Sequence, residues 1–568
     1  MADLPTAPDT PHALDCLREA WMARATGGLS PESLALAWAD WAMHLAGAPG
    51  KRLALLTAMT QSATAFACGE ANPDLARDPR FRADAWQQHP WLKGMADAFL
   101  RTEAWWRAAT HNVPGTAPHS EAVTAFACRQ LLDMWSPSNL PWLNPEVIDQ
   151  TRQQQGLNLW NGLNNAWEDT TRRLSSRPPA GTETFEVGRN LACTPGKVVM
   201  RNRLVELIQY SPTTDHVKAE PVLIVPAWIM KYYILDLSPQ NSMVRWLVEQ
   251  GHTVFCLSWR NVGEAERDLG MDDYRQEGVM AALDAVNAIV PRRKVHAVGY
   301  CLGGTLLTIA AAAMARAGDE RLASMSLFAA QTDFTEPGEL GLFIDPAQLH
   351  MLDSMMWQRG YLTADQMAGA FQMLQSNDLV WSRAVHDYLM GERAPMIDLM
   401  AWNADATRMP FRMHSQYLHR LFLDNDLASG RYVVDGHPVA LQDLKLPIFL
   451  VGTERDHVAP WHSVYKLHQL TDTELCFVLT NGGHNAGIVN EPGHPHRHYR
   501  LATRMPGDLH QSADDWEANH VAQEGSWWPA WHDWLSGHGS PRAVRPPSMG
   551  ARTFPPLADA PGSYVLER

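Results

Sequence analysis

The sequence has no surplus of positive charge: 47 lysines and arginines stand against 62 aspartates and glutamates, a formal charge of −15. Holding a polyanion by counterion release needs the opposite balance, so nucleic acid is excluded as the main partner. Cysteine is sparse. The seven (Cys16, Cys68, Cys128, Cys193, Cys256, Cys301 and Cys476) are odd in number, widely spread and never spaced as C-x-x-C. That pattern speaks against a disulfide framework and a structural zinc site, and for a reducing cytoplasm. Long apolar runs are missing too. The most apolar helical stretch, Leu306 to Met314, covers nine residues, where a membrane span needs ~20. The opening Met1-Ala-Asp-Leu-Pro-Thr-Ala-Pro-Asp9 carries acids and prolines where an export signal has a basic stretch and then an apolar run. No export and no membrane span are expected. What is present is 46% hydrophobic and 19% charged residues over 568 positions. At ~100–200 residues per domain this suffices for about three domain-sized units, and it excludes disorder over most of the chain. The 23 tryptophans point to large apolar contact areas.

The periodicity divides the chain. From Ala13 to about Trp167 apolar residues recur at three- and four-residue spacing, with helix starts at Ser30-Pro31 and Asn144-Pro145, so residues 1–180 are predicted to be an all-α domain. After the linker-like Ser176-Arg-Pro-Pro-Ala-Gly181 the pattern changes to short β-rich runs at Lys197–Tyr210, Val222–Val225, Thr253–Trp259, Val295–Gly299, Met325–Ala329, Ile448–Val451 and Leu475–Leu479. Helical stretches separate most of them, and several runs are continuously apolar, as strands buried on both faces of a parallel sheet are. Residues 181–332 and 444–540 therefore read as two parts of one α/β core. The Met-, Leu- and Trp-rich stretch 333–443, with a hairpin-like Arg431-Tyr-Val-Val-Asp-Gly436, is too long for a loop and reads as an inserted cap. The proline-rich residues 541–568 read as a flexible tail.

Chemistry concentrates at three places. Gly299-x-Cys301-x-Gly303 lies between a strand and a helix, the nucleophile-elbow pattern of α/β-hydrolases with cysteine at its centre. Glycines two residues to either side permit a strained turn that projects the thiol from the sheet edge. The following helix N-terminus favours thiolate, and the Leu302 amide is placed as an oxyanion donor. A lone G-x-C-x-G is also compatible with a small buried cysteine. Two further sites bear on that choice. The strand ending at Val451 runs into Gly452-Thr-Glu-Arg-Asp456-His457, and the strand ending at Leu479 runs into Asn481-Gly-Gly-His484. Asp456 could instead be a turn residue and His484 a structural one. Together, nucleophile, acid and base occur in the chain order of α/β-hydrolases, each just beyond a strand's carboxyl end. His457 is a candidate neighbour of the acid. The cluster His494, His496, His498 alternates across Gly-His-Pro-His-Arg-His with no nearby cysteine, so it reads as a solvated loop and no metal site is expected.

The run from Val222 to Asn261 resembles the signature of polyhydroxyalkanoate synthases. So do Gly299-Tyr-Cys-Leu-Gly-Gly-Thr305, Trp402-Asn-Ala-Asp-Ala-Thr407 and Gly452-Thr-Glu-Arg-Asp-His-Val-Ala-Pro-Trp461. The resemblance extends from about Asp78 to Trp534, and the single-chain length is similar to the class I or class II enzymes, with class I favoured. It implies an α/β-hydrolase fold with an inserted cap, preceded by an all-α domain. The implied reaction is polymerisation of (R)-3-hydroxyacyl-CoA into polyester with release of CoA, using Cys301 as nucleophile, His484 as base and Asp456 as its partner. No cofactor is implied, CoA being the leaving group. A homodimer at the surface of cytoplasmic polymer granules is implied as well, and Trp402 becomes a candidate cap residue near the site. Two positions depart from the family pattern. Pro226-Ala-Trp-Ile-Met230 replaces a segment that usually ends in asparagine, leaving oxyanion donation there to backbone amides such as that of Trp228. Asn485 replaces a usually apolar residue. Cysteine suits a transferase, because attack on a CoA thioester gives a second thioester and keeps the acyl group activated.

Overall fold

The computed structural model describes residues 10–367, 369 and 380–568. The opening stretch Met1 to Asp9 and part of the expected cap, at 368 and 370–379, lie outside the described residues.

Among the described residues fifteen strands form in chain order. Eleven of them build one sheet: β1 Gly196–Arg201, β2 Val205–Tyr210, β3 Val222–Val225, β4 Val254–Trp259, β5 Val295–Tyr300, β6 Leu322–Phe328, β11 Ile448–Thr453, β12 Leu475–Thr480, β13 His498–Arg504, β14 Gln523–Glu524 and β15 Ala558–Asp559. The other four, β7 Tyr361–Leu362 with β8 Met409–Pro410 and β9 Val433–Val434 with β10 His437–Pro438, make two short antiparallel pairs. The sheet order is β14-β13-β12-β11-β6-β5-β3-β4-β2-β1-β15. The six strands from β12 to β4 run parallel and the flanking ones antiparallel. The α/β core expected from the alternating pattern is thus present. Its central strands are buried along their whole length, which is why they read as unbroken apolar runs. Buried side chains fill both faces of the sheet. Because β5, β6, β11 and β12 are parallel, the chain leaves β5, β11 and β12 at one common edge.

Two strand runs differ from the sequence reading. Lys197–Tyr210 is split into β1 and β2 by a turn, where the Asn202 side-chain oxygen accepts from the amides of Leu204 and Val205, both at 2.9 Å. His498, expected in a solvated loop, opens β13 and sits 3.1 Å from Glu454.

The N-terminal region is helical throughout, including Thr10–Ala25, Pro31–Gly47, Pro90–Thr110 and Pro118–Met134. The caps form as the sequence dictates. Ser30 accepts from the Ser33 amide at 3.2 Å, and Asn144 from the Glu146 and Val147 amides at 2.9 and 3.3 Å. This region has its own small core around Phe81, Trp86, Leu92 and Leu100. Its first helix packs on Pro346–Arg359, a helix of the inserted segment. There Gln348 accepts from the Ser30 amide and donates to the Gly28 carbonyl, at 2.8 and 2.7 Å.

The flexible tail expected at 541–568 is corrected by the structure. Val544 bridges to Val217, β15 pairs with β1 at the sheet edge, and Val565 is buried. The anchors are polar and distant in sequence, which hid them from periodicity. Fully buried Glu206 accepts from the amides of Ser563 and Tyr564 at 2.9 and 3.0 Å and from the Ser563 hydroxyl at 2.8 Å. Lys231 donates to the Glu567 carbonyl at 2.6 Å. Replacing Glu206 with leucine removes the acceptor of the three Ser563 and Tyr564 donors and of the Arg201 guanidinium, whose Nε donates to it at 2.7 Å, so we expect a loss of about 2–4 kcal/mol in urea unfolding, with earlier proteolysis of the C-terminus.

Candidate active site

Cys301 follows β5 directly and caps the helix Leu302–Ala317. Its φ of +52° is the left-handed region that cysteine rarely adopts. The turn closes because its glycines lack side chains. A Cβ on Gly299 would stand 2.4 Å from Gly304 Cα, and one on Gly303 would stand 2.2 Å from the Val225 carbonyl oxygen. The second contact presses the elbow against the end of β3. Gly303→Ala must displace that backbone, and an expected cost of about 3 kcal/mol would appear as a lower thermal midpoint or lost soluble protein. The Leu302 amide is the first of its helix and has no acceptor within it.

Asp456 follows β11 in a turn that fixes its carboxylate. One oxygen accepts from the amides of Val458 and Ala459 at 2.9 and 2.8 Å. The other accepts from Thr453 Oγ1 at 3.2 Å and from His484 Nδ1 at 2.7 Å. His484 follows β12 on a glycine-rich loop held from behind by two tryptophans. Trp527 and Trp528 donate their indole N–H groups to the Gly487 and Ile488 carbonyls, both at 3.0 Å. Asn485, next to the histidine, accepts from the Tyr300 hydroxyl at 2.5 Å and so ties this loop to the residue before Cys301. Burial alone would push the His484 imidazole down. The Asp456 carboxylate and the Cys301 sulfur, both beside it, more than offset this and hold it well above the ordinary histidine range. Cys301 and Asp456 are therefore both brought to the imidazole of His484, as the sequence led one to expect of the three.

Cys301 opens into an apolar cavity of about 140 Å³. Leu302, Thr305, Ala329 and Ala459 line it from the sheet edge, and the inserted segment covers it with Phe343, Met355, Met409, His414, Tyr417 and Phe422 among others. The remaining wall comes from the N-terminal region, where Gly27, Gly28 and Leu29 complete the enclosure. Burial, with Cys301 adding to it, raises the Tyr417 phenol. His414, Tyr417 and the 27–29 strap were not expected from the sequence. The one available signal was a polar residue, His414, on an otherwise apolar helical stripe with Phe411, Leu418 and Leu421.

Three other candidates fall outside the cavity wall. Trp228 is buried against Trp259 and Tyr274, and Thr407 donates its hydroxyl to the Trp228 carbonyl at 2.5 Å. The next residue, Ile229, is the one that reaches the cavity. Trp402 does not face it either. Its indole donates to the Lys231 carbonyl at 2.8 Å, and Met230 bridges to Ala406, so the 402–407 segment holds the loop carrying Ile229. His457 lines a separate cleft, shared with Arg107, Arg129 and Glu339 beside the N-terminal helices. Its buried Nδ1 has no partner among the described residues, and burial lowers its pKa. No group of three or more His, Cys, Asp or Glu side chains able to hold a metal occurs among the described residues. No described helix is long and apolar enough to cross a membrane.

An elbow cysteine, an acid and a histidine at the carboxyl edge of a parallel sheet, beneath an inserted cap, define an enzyme of the α/β-hydrolase fold; residues 220–491 match the family model of that fold. Residues 77–247 match the model described as the N-terminus of poly-beta-hydroxybutyrate polymerase (PhaC), and residues 9–51 a second N-terminal model of the same polymerase. The chain is 40% identical over 491 residues to a poly(3-hydroxyalkanoate) polymerase of Methylorubrum extorquens, covering 86% of this chain and 80% of that one. It is 36% identical over 493 residues to the corresponding PhaC subunit of Rhizobium meliloti, with the same coverage, 86% and 80%. Against that of Cupriavidus necator it is 35% identical over 495 residues, covering 86% and 83%. The chain belongs to the polyhydroxyalkanoate synthases, the acyltransferase family whose motifs its sequence resembles.

Proposed function

We propose that this enzyme polymerises (R)-3-hydroxyacyl-CoA into polyhydroxyalkanoate through an acyl-cysteine at Cys301, releasing CoA and needing no cofactor. The observation that carries the reading is the 2.7 Å Asp456–His484 bond with Cys301 against the same imidazole. In the first step His484 takes the thiol proton, the sulfur attacks the thioester carbonyl, and the departing CoA thiolate receives that proton. The Leu302 amide is the proposed oxyanion donor, supported by its free place at the helix start. In elongation a 3-hydroxyl oxygen attacks the acyl-cysteine carbonyl, an ester forms, and the hydroxyl proton returns to the Cys301 sulfur by way of His484. Water competes for the same acyl group, and the apolar cavity supports the polymerase reading by disfavouring it. The polymer partner, a homodimeric state and a place at the surface of cytoplasmic granules are part of this proposal, drawn from the family.

The test is CoA release from (R)-3-hydroxybutyryl-CoA by the purified protein, followed by solvent extraction. Polymer accompanying the CoA is the expected result. Free 3-hydroxybutyrate in equal amount would mean a thioesterase on the same triad. Granule binding without CoA release would mean a scaffold.

A further inference from the structure

Most polar side chains lining the Cys301 cavity already bond to protein. Thr305 donates to the Gln331 carbonyl at 2.7 Å, and Gln331 to the Ser463 hydroxyl at 3.1 Å. Gln348 holds the N-terminal strap as described. Gln366 accepts from the Thr363 hydroxyl at 2.9 Å and donates to the Met355 sulfur at 2.8 Å.

His414 differs. It sits on the helix Phe411–Gln416, is only 4% exposed, and lines the cavity. Its single hydrogen-bond contact among the described residues joins Nδ1 to the Met356 sulfur at 3.2 Å. A thioether has no hydrogen to give, so Nδ1 must carry the proton. A neutral imidazole protonated there presents Nε2 as a pure acceptor. Burial keeps the ring neutral, its pKa down at about 4 against a weaker upward pull from Asp353. The cavity beside the nucleophile therefore contains a neutral imidazole whose Nε2 can accept but not donate. Only a ligand that brings its own O–H or N–H can satisfy it.

We infer that His414 is a substrate-binding residue that selects for hydroxylated acyl groups, its Nε2 accepting from the 3-hydroxyl of an acyl group held in the cavity. This deepens the thioester reading and rests on it. So weak a base holds the hydroxyl without deprotonating it, which leaves proton removal to His484. The preference follows from chemistry: an acyl group without that O–H leaves the acceptor unpaired, and water is not a ready substitute in an apolar pocket.

The test compares acylation of the full-length protein by three thioesters, read as the first equivalent of CoA released: (R)-3-hydroxybutyryl-CoA, butyryl-CoA and (R)-3-fluorobutyryl-CoA. Wild type is expected to favour the hydroxylated substrate by roughly tenfold, the factor a single hydrogen bond supplies, and to treat the fluoro compound like the deoxy one. His414→Phe is expected to erase the ratio, and His414→Asn, whose amide oxygen still accepts, to keep most of it. A ratio unchanged in a folded His414→Phe protein would overturn the inference. Should that variant fail to fold, the fluoro compound decides on wild type alone, and acylation as fast as with the hydroxyl would overturn it equally. CoA release from none of the three would instead overturn the thioester reading, and this inference with it.

Discussion

Cys301→Ala is expected to abolish CoA release from (R)-3-hydroxybutyryl-CoA, with a loss on the order of 10⁴–10⁶ in rate. Among the described residues no other cysteine lines the cavity, and the Thr305 hydroxyl is engaged with the Gln331 carbonyl. Alanine removes only the sulfur and meets the same backbone geometry, so the sheet and its register should persist and the far-ultraviolet spectrum should match wild type. Cys301→Ser is the sharper comparison. The hydroxyl can in principle be acylated, but the product is an oxyester, and the activation that drives transfer to the next hydroxyl is lost. We expect at most one equivalent of CoA from the serine variant and no polymer. Turnover by Cys301→Ala above one per cent of wild type would remove Cys301 from the mechanism.

The second large effect concerns the acid. One Asp456 oxygen is committed to the amides of Val458 and Ala459, and the other accepts from His484 Nδ1. In Asp456→Asn the carbonyl oxygen keeps the two amides, because only it can accept them, and the –NH₂ group turns toward His484. Donor then faces donor, and the imidazole must move its proton to Nε2, the nitrogen needed to draw the proton from the Cys301 thiol. We expect kcat to fall by about 10³–10⁴ with KM little changed, since the cavity wall is untouched. Asp456→Glu tests whether charge alone suffices. Its longer side chain cannot keep both amides and the imidazole in register, so rescue should be partial at best. Wild-type kcat in Asp456→Asn would show that the carboxylate has no part in orienting the base.

The chemistry of the site was legible because its residues belong to local patterns. Gly299 and Gly303 announce a turn that only glycine permits, and Asp456 and His484 each follow a continuously apolar strand whose end is easy to find. The parallel core follows from the same runs. What the sequence alone determined is therefore the nature of the sheet, the identity of the three residues that meet at its edge and their order along the chain.

The tertiary structure decided everything that depends on contacts between segments far apart. Trp402 reads as a cap residue near the site, yet its indole is turned to the Lys231 carbonyl; which face of a short helix looks inward is set by its neighbours, not by its own spacing. Residues 541–568 lack periodicity because Glu206 and Lys231 hold them through hydrogen bonds to backbone groups, which any side-chain sequence can supply. The closure of the cavity by Gly27–Leu29, more than 270 positions from Cys301, and the placing of His414 in the same cavity as Cys301 both come from packing of one helix on another. Local patterns record what each segment needs from its own backbone, whereas burial and hydrogen bonding across the fold are satisfied only once the segments meet.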